Sequence, residues 1–407
     1  MNILRFKIFQ KMLDFVLLVR ASVILAKFGL ISILFNDLES NDFIIYAQIS
    51  VLAYFTAILL GGEYSLVSGK FFARGNYNNT ESFKSHVSAL KVFSPILGVT
   101  AFCLLLSTNW SILEKFLSVF IIGCNFYWLE RYKISIFNNE RNWVAKCLFV
   151  RELSWCLPIF LLYLGGAQLS LFAVLFCWSG VLLGFVLLDW FYLVRLSSVL
   201  SELKTIKISY FFLITAVVTQ VVFKAPTTFD RILFEKYMAP SSLASYSYLM
   251  SLLLAGASIF DAVYFSKTIK SIMKGGNSGI TKHGIVLLMI VTPFFAYLWG
   301  GAVYYFSLEY SSLIFEKELD LSFFWLAFIT FKYSLFILVL STLLLGFDFD
   351  YLSLGQKCLF LLFFIFSIFV LSSNFDVISW YAIAVSLGLY FINAVVVFLL
   401  IRKRTIL

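Results

Sequence analysis

The sequence predicts an all-α polytopic membrane protein, with about 12 transmembrane helices arranged in two six-helix halves. Composition, the length of the apolar runs and the distribution of the cations all support this fold class. Of the 407 residues, 61% are hydrophobic and only 13% are charged, which is about half the charged fraction of a soluble domain. The charged residues cluster and leave apolar runs of about 18 or more residues, the length that an α-helix needs to cross a bilayer.

The predicted spans follow one another with short connections, and each is an apolar run bounded by charged or turn-forming residues. They lie near residues 12–35, 43–61, 86–107, 112–129, 147–166, 169–193, 209–234, 243–264, 284–306, 322–345, 357–373 and 378–400. The first run is too long for a signal peptide and lacks a small-residue cleavage site. It is therefore interpreted as a helix of the protein.

The cations are distributed unequally between the two sides of the predicted bundle. With the N-terminus in the cytoplasm, 21 of the 31 Lys and Arg residues fall in inside segments, 3 in outside segments and seven within spans. This asymmetry follows the positive-inside rule, places both termini in the cytoplasm and requires an even number of spans. It also accounts for most of the net charge of +9, so no nucleic-acid partner is expected.

The cysteines and histidines give no metal-binding pattern. All six cysteines lie in apolar segments, none forms a Cys-x-x-Cys pair, and the chain has only two histidines. Buried cysteines of this kind usually behave as small hydrophobic side chains. We therefore expect neither a metal nor another cofactor.

An internal repeat divides the sequence into two halves. "KSHVSALKVFSP" opens the third predicted span at Lys84, and "KHGIVLLMIVTP" opens the ninth at Lys282. These two segments are offset by 198 residues. At the similar offset of 200, Tyr46 corresponds to Tyr246. An offset of six spans keeps the orientation, so the halves are predicted to be parallel repeats related by a pseudo-two-fold axis along the membrane normal. The predicted bundles cover residues 1–205 and 206–407.

Charged residues occur inside spans that otherwise suit lipid. Arg20 and Lys27 lie seven residues apart in the first span, and Lys224 and Arg231 have the same spacing in the seventh. Seven residues are nearly two helical turns, so each pair shares a helix face. A charge at the centre of a spanning helix costs about 2.5–3.5 kcal/mol on insertion scales. Such residues need an internal partner or a function.

Two interpretations remain open for these charges. In the structural one, they form internal pairs, for which the sequence offers Lys11–Asp14, Arg151–Glu152 and Asp230–Arg231. In the functional one, they line a cationic central cavity that receives an anionic substrate. The candidate cavity residues are Arg20, Lys27, Lys91, Arg151, Lys224, Arg231 and Lys332. Phosphate or pyrophosphate suits such a cavity, because Arg offers a planar fork of donors and Lys a compact charge.

Two segments carry a resemblance to a known family. They are "FNDLESNDFIIYAQISVLAYFTAILLGG" at 35–62 and "FDRILFEKYMAPSSLASYSYLMSLLLAGAS" at 229–258. With the two charged helices, the short loops and the chain length, they resemble the polysaccharide flippase (Wzx-like) branch of the MOP exporter superfamily. The second segment is similar to that family's seventh-helix pattern of Asp-Arg, a short turn and a Tyr-containing eighth helix.

The resemblance implies a transporter of the bacterial inner (cytoplasmic) membrane. Its expected substrate is an undecaprenyl-pyrophosphate-linked oligosaccharide of O-antigen or related lipopolysaccharide biosynthesis, moved from the cytoplasmic to the periplasmic leaflet by alternating access. Membrane lipids and other polysaccharide-assembly proteins are the expected partners. Coupling to H+ or Na+ stays open, with Asp230 and Asp261 as candidate coupling or counter-charge residues.

Two other functions fit parts of the sequence. A multidrug or organic-cation exporter of the same superfamily would favour acids over cations in its cavity. A membrane-embedded polysaccharide polymerase would typically carry one large external loop, and the longest external segment here, near 307–321, is short. "DFD" at 348–350 resembles a nucleotide-sugar motif but lies in a loop of about ten residues without a nucleotide-binding domain. We therefore expect a transporter and no enzyme.

Overall fold

The computed structural model describes residues 2–60, 110–137, 141–189, 230–260, 282–309 and 319–346, with isolated positions at 95, 98, 99, 102, 227 and 228. Within these ranges every regular element is a helix and no strand occurs. This agrees with the predicted all-α class. The predicted spans 86–107, 209–234, 357–373 and 378–400 lie largely or wholly outside the described residues.

The chain divides into two compact units, Met1–Val218 and Thr219–Leu407. Each unit is described by itself. The division predicted from the sequence, between residues 205 and 206, falls outside the described residues and stays a prediction.

The first unit begins with two consecutive helices. Helix α1 covers Asn2–Asp37 and α2 covers Ser40–Leu60. Asp37 ends α1, and its Oδ2 accepts the backbone N–H of Leu169 at 3.1 Å. Helix α1 extends past the predicted span 12–35 at both ends, and α2 begins three residues before the predicted start at 43, because the polar residues that flank an apolar run can continue a helix beyond it.

Helix α3 (Ile112–Phe137) starts with a reciprocal cap. The Ser111 N–H donates to Glu114 Oε2 at 2.7 Å, and the Glu114 N–H donates to Ser111 Oγ at 3.3 Å. This capping box satisfies two N–H groups that the first helical turn leaves without partners. Helix α3 packs against α2 and runs eight residues past the predicted end at 129, which brings Arg131 into the helix.

The predicted span 147–166 is not one straight helix. It is formed by α4 (Arg141–Leu148), a π-helical segment π1 (Phe149–Leu153) and α5 (Cys156–Leu164), with a bend of 44° before α5. Pro158 explains the position of the bend. Its ring lacks an N–H and clashes with the carbonyl four residues earlier, which belongs to Ser154.

Side chains donate hydrogen bonds to the backbone carbonyls around this bend. The hydroxyl of Ser154 donates to Val150 O at 2.5 Å, and the indole N–H of Trp155 donates to Arg151 O at 3.1 Å. The thiol of Cys156 donates to Glu152 O at 3.4 Å. Three consecutive carbonyls of the π turn thus find donors four residues ahead, which a break in an apolar environment requires.

Glycine and serine define the turn between α5 and α6 (Leu171–Leu188). Gly166 has φ of 75° and ends α5 in a Schellman motif, in which Ala167 N–H donates to Leu162 O and Gly166 N–H to Tyr163 O, both at 3.0 Å. Ser170 then caps α6 by accepting the Ala173 N–H at 3.3 Å. Helix α6 packs against α3.

In the second unit, the described helices are α7 (Asp230–Phe234), α8 (Pro240–Phe260), α9 (Lys282–Glu309) and α10 (Phe324–Gly346). Helices α8, α9 and α10 pack against one another. These helices approach one another closely at two glycines. A Cβ on Gly256 would lie 2.2 Å from the Trp299 ring, and a Cβ on Gly300 would lie 2.1 Å from the Phe328 ring.

Asp320 fixes the turn before α10. It accepts the hydroxyl of Ser242 at 2.7 Å and both the N–H and hydroxyl of Ser322, at 3.0 and 2.6 Å. Its own N–H donates to Ser245 Oγ at 3.1 Å. Burial raises the pKa of Asp320, but the hydrogen bonds from Ser322 and Ser242 together outweigh it and leave the pKa below its usual value.

Several helices are long and apolar enough to cross a membrane. Within the described residues they are Ile112–Tyr132, Leu171–Leu188 and Gly284–Glu309, with a fourth if the bent pair Trp143–Leu153 and Cys156–Leu164 forms one span. Large apolar side chains are exposed along them, among them Phe176, Ile290 and Phe294 at 58%, 61% and 63%. Apolar faces of this size are typical of helices that contact lipid. The chain is a helical membrane protein.

Candidate functional site

In the first unit, two of the predicted cavity cations meet at one carboxylate. Lys27 lies on α1, and Arg151 lies with Glu152 on π1. Glu152 accepts the ammonium of Lys27, the Nε–H of Arg151 at 2.6 Å and the Nη2–H of Arg151 at 2.5 Å. Two cations share a single anion, so this cluster carries a net charge of +1.

The Lys27–Arg151–Glu152 cluster is bordered by two tyrosines. The Arg151 guanidinium carbon lies 6.0 Å from the Tyr54 ring centroid and 5.9 Å from that of Tyr132. The Arg151 and Glu152 side chains are only 11% and 13% exposed, whereas Lys27 is 39% exposed. An incoming anion would therefore reach Lys27 first.

In the second unit, Asp230 and Arg231 lie on α7 and are completely enclosed, at 0% and 2% exposure. Asp230 accepts the Tyr246 hydroxyl at 2.7 Å and the Arg231 N–H at 2.8 Å. The Arg231 guanidinium donates to Ser251 Oγ at 3.1 Å. This network joins α7 to α8 and holds both charges inside the packed unit.

Lys332 lies on α10 and has an environment of a different kind. It is 5% exposed and lies within about 5 Å of the midpoint of α10 along the helix axis. Its ammonium donates to the Tyr297 hydroxyl at 3.2 Å and lies 5.1 Å from the Tyr297 ring centroid. Among the described residues, no carboxylate forms an ion pair with Lys332.

The remaining predicted site residues can be assigned to the fold only in part. Arg20 lies on α1, seven residues or nearly two turns before Lys27. Lys91, Lys224 and Asp261 lie outside the described residues. The structure thus brings Lys27 and Arg151 together, and in the other unit it joins Asp230 with Arg231.

Two groups of polar residues were missed in the sequence. The first comprises the tyrosines beside the cations, Tyr54, Tyr132, Tyr246 and Tyr297, which stand among 21 tyrosines with no distinguishing pattern. The second is an ion pair of Arg131 with Asp189, Nε to Oδ2 at 3.7 Å. Arg131 lies beyond the predicted end of the span at 129, because span prediction follows hydropathy. The aromatic and charged run "NFYWLERY" at 125–132 is the signal that could have extended the helix.

Fold and site together define the class of this protein as a helical membrane protein whose described helices carry cations. No family model matches the chain, and neither the curated proteins nor the solved structures give a significant match.

Proposed function

We propose that this protein is a flippase, which moves an undecaprenyl-pyrophosphate-linked oligosaccharide across the membrane by alternating access. The observation that carries the proposal is an excess of positive charge over paired carboxylates among the apolar helices that the structure describes. The Lys27–Arg151–Glu152 cluster has a net charge of +1, and Lys332 has no described carboxylate partner. Intramembrane charges are costly and usually serve a substrate pathway.

The chemistry of these groups suits a pyrophosphate. A guanidinium gives paired hydrogen bonds to phosphate oxygens, and an ammonium adds a compact charge. The half-exposed Lys27 offers an accessible donor, with the more deeply placed Arg151 behind it. Tyr54, Tyr132 and Tyr297 add aromatic faces and hydroxyls beside the cations. Such side chains pack well against sugar rings, because they combine an apolar face with a polar group.

The proposal includes the full architecture of twelve helices in two six-helix halves. Similar internal ties in the two units support it. In the first unit, the Trp110 indole, just before α3, donates to Gln48 of α2 at 3.2 Å. In the second, Asp320, just before α10, binds Ser242 and Ser245 of α8. Helices α2 and α8 correspond at the sequence offset of 200, and each packs against the helix so tied.

Within this proposal, the units would rock around a central cationic cavity while the polyprenyl chain stays in lipid. Both termini would face the cytoplasm of a bacterial inner membrane, and other polysaccharide-assembly proteins would deliver and receive the substrate. Asp230 serves as counter-charge to Arg231 inside its network with Tyr246, or as the residue that couples transport to H+ or Na+.

The test is complementation of a deletion strain with single variants. Lys27→Gln and Lys332→Gln each remove one cation and keep a polar side chain, and Lys236→Gln removes a cation from the exposed turn after α7 as a matched control. Lipid-linked sugars are measured in each strain, together with surface polysaccharide and drug sensitivity. We expect both span variants to accumulate complete lipid-linked repeat units at least ten-fold over the control.

Two results would replace the proposal. Normal polysaccharide with altered drug sensitivity would indicate the multidrug exporter. Export of single repeat units that are not joined into chains would indicate the polymerase. Equal accumulation in all three variants would contradict a role for the span cations in transport.

A further inference from the structure

The first unit contains a cavity whose described lining residues include none of the candidate span cations. Its volume is about 360 Å³, within the range of roughly 300–1,000 Å³ of pockets that bind small ligands. Helices α1, α3 and α6, with α4 and π1, contribute its walls. Most of the lining is apolar, and it includes Val19, Phe149, Phe185 and Leu188.

A buried donor at this cavity has no partner. Trp128 lines the cavity and is 2% exposed, and its indole Nε1–H makes no hydrogen bond. A buried N–H without an acceptor costs about 1–3 kcal/mol. An acceptor group of a ligand in the cavity would remove this cost.

A cation stands at the same cavity. Lys146 lines it with an exposed side chain, and the Lys146 ammonium lies 4.7 Å from the ring centroid of Trp143, another lining residue. Because the ammonium is exposed, it remains available to an anion. The lining residues of the cavity therefore include one with a charged donor, Lys146, and one with a neutral donor, Trp128.

The carboxylate of Asp189 also lines the cavity, but its charge is compensated. Arg131 Nε lies 3.7 Å from Asp189 Oδ2, and the Tyr127 hydroxyl donates to the same oxygen at 2.5 Å. Counting Lys146 and Arg131 against Asp189 leaves a net charge of +1. A cationic ligand is disfavoured, because the Trp143 ring already has Lys146 and the Arg131 guanidinium within 5 Å, the latter at 4.4 Å.

We propose that this cavity binds the phosphate headgroup of an anionic membrane phospholipid. The phosphate accepts the Trp128 indole N–H and pairs with the Lys146 ammonium. The first part of an acyl chain lies along the apolar wall of Phe149, Phe185 and Leu188. Basic pockets between spanning helices commonly hold anionic lipid headgroups. The site is independent of the proposed transport of a lipid-linked sugar, since it uses none of the candidate substrate-binding cations.

The experiment measures lipid retained by the purified full-length protein in native mass spectrometry. Lys146→Gln removes the charge, Trp128→Phe removes the N–H and keeps an apolar ring, and Lys236→Gln is the surface control. Each protein is titrated with phosphatidylglycerol. We expect Lys146→Gln to weaken binding about five-fold, the effect of one cation near an anionic lipid, and Trp128→Phe to weaken it three- to ten-fold, the effect of one hydrogen bond.

Separate arms identify the source of the phosphate. We expect phosphatidylcholine, which has a phosphate but no net charge, to bind more weakly than phosphatidylglycerol to the wild-type protein and to lose this difference in Lys146→Gln. Displacement of phosphatidylglycerol by millimolar inorganic phosphate would overturn the lipid assignment in favour of a free anion. Equal retention by the wild type, Lys146→Gln and Trp128→Phe would overturn the site. Thermal unfolding of each variant verifies the fold, and the exposed Lys146 tests the site even if Trp128→Phe fails to fold.

Discussion

At the residue scale, Glu152 is the group on which the charges of the first unit depend. It is the one acceptor that Lys27 and Arg151 are seen to share, and it lies 125 positions away from Lys27 in the sequence. Removing one member of a buried ion pair lowers stability more than replacing both members by apolar residues, because the remaining charge is left desolvated and unpaired. Glu152 therefore determines whether two cations are tolerated between α1 and π1.

We predict that Glu152→Gln lowers the free energy of unfolding by about 2 kcal/mol, because it leaves two cations sharing only a neutral acceptor. Thermal unfolding in detergent measures the loss, and Glu309→Gln, at an exposed carboxylate at the end of α9, is the control. In a double-mutant cycle, Lys27→Gln combined with Glu152→Gln should cost less than the sum of the single changes. Strict additivity would contradict the shared pairing.

The sequence suggested only part of this cluster. Arg151–Glu152 was one of the internal pairs that it offered, since adjacent opposite charges can be recognised directly. The approach of Lys27 could not be predicted, because it depends on how α1 packs beside π1. Nor did the sequence decide between internal pairing and a cationic cavity. The structure shows the Arg151–Glu152 pair, with Lys27 bound to the same carboxylate, and the cavity stays a prediction.

At the element scale, the second unit depends on small residues where its helices approach. Gly256 receives the Trp299 ring, whose indole N–H donates to Leu252 O at 3.1 Å, and Gly300 receives the Phe328 ring. Without a hydrophobic force between helices in lipid, close packing at small residues is a main source of association. The adjacent Gly301 has no atom within 4 Å of its Cβ position, so it provides a matched comparison.

We predict that Gly300→Ala lowers the free energy of unfolding by about 2 kcal/mol, because the new methyl group would overlap the Phe328 ring. Gly301→Ala should leave stability unchanged or raise it by up to about 1 kcal/mol, since alanine favours a helix. Thermal unfolding of the two variants side by side measures the difference. A loss at Gly301 equal to that at Gly300 would show that overlap with the Phe328 ring is not the cause.

The sequence was informative about helices and weak about their interruptions. Where the predicted spans are described, they are helical, although 147–166 is divided by a bend, because the length of an apolar run decides whether it can cross lipid. The ends differ by several residues, as at α3, because hydropathy does not register helical residues that are polar. The bend in 147–166 was missed although Pro158 was present in the sequence.

At the scale of the whole molecule, the excess of cations in alternate connections determines the orientation proposed here. The described helices supply up to four candidate spans, and the arrangement of all twelve depends on the distribution of 31 cations along the chain. Orientation is a property of the full set, because one additional or missing span would invert every later segment.

We predict that single cysteines at Lys207 and Lys274 react only from the cytoplasmic side. Cysteines at Gln168, in the exposed turn after α5, and at Glu316 should react only from the outside. The physical reason is the preference of cationic loops for the cytoplasm. Labelling of intact cells with a membrane-impermeant maleimide, compared with lysed cells, measures the side. Labelling of Glu316→Cys from the cytoplasm would break the twelve-span arrangement.

The hydrogen-bond donors around Pro158 stabilise the bend between π1 and α5. Carbonyls of π1 accept hydrogen bonds from the side chains of Ser154, Trp155 and Cys156. Straightening the chain there would not restore a helical hydrogen bond from Pro158, since proline has no backbone N–H. Changing the bend would leave carbonyls without donors in an apolar environment, where each unsatisfied group costs several kcal/mol. We therefore expect π1 and α5 to move together, and the Arg151–Glu152 ion pair, which has no net charge, to move with them.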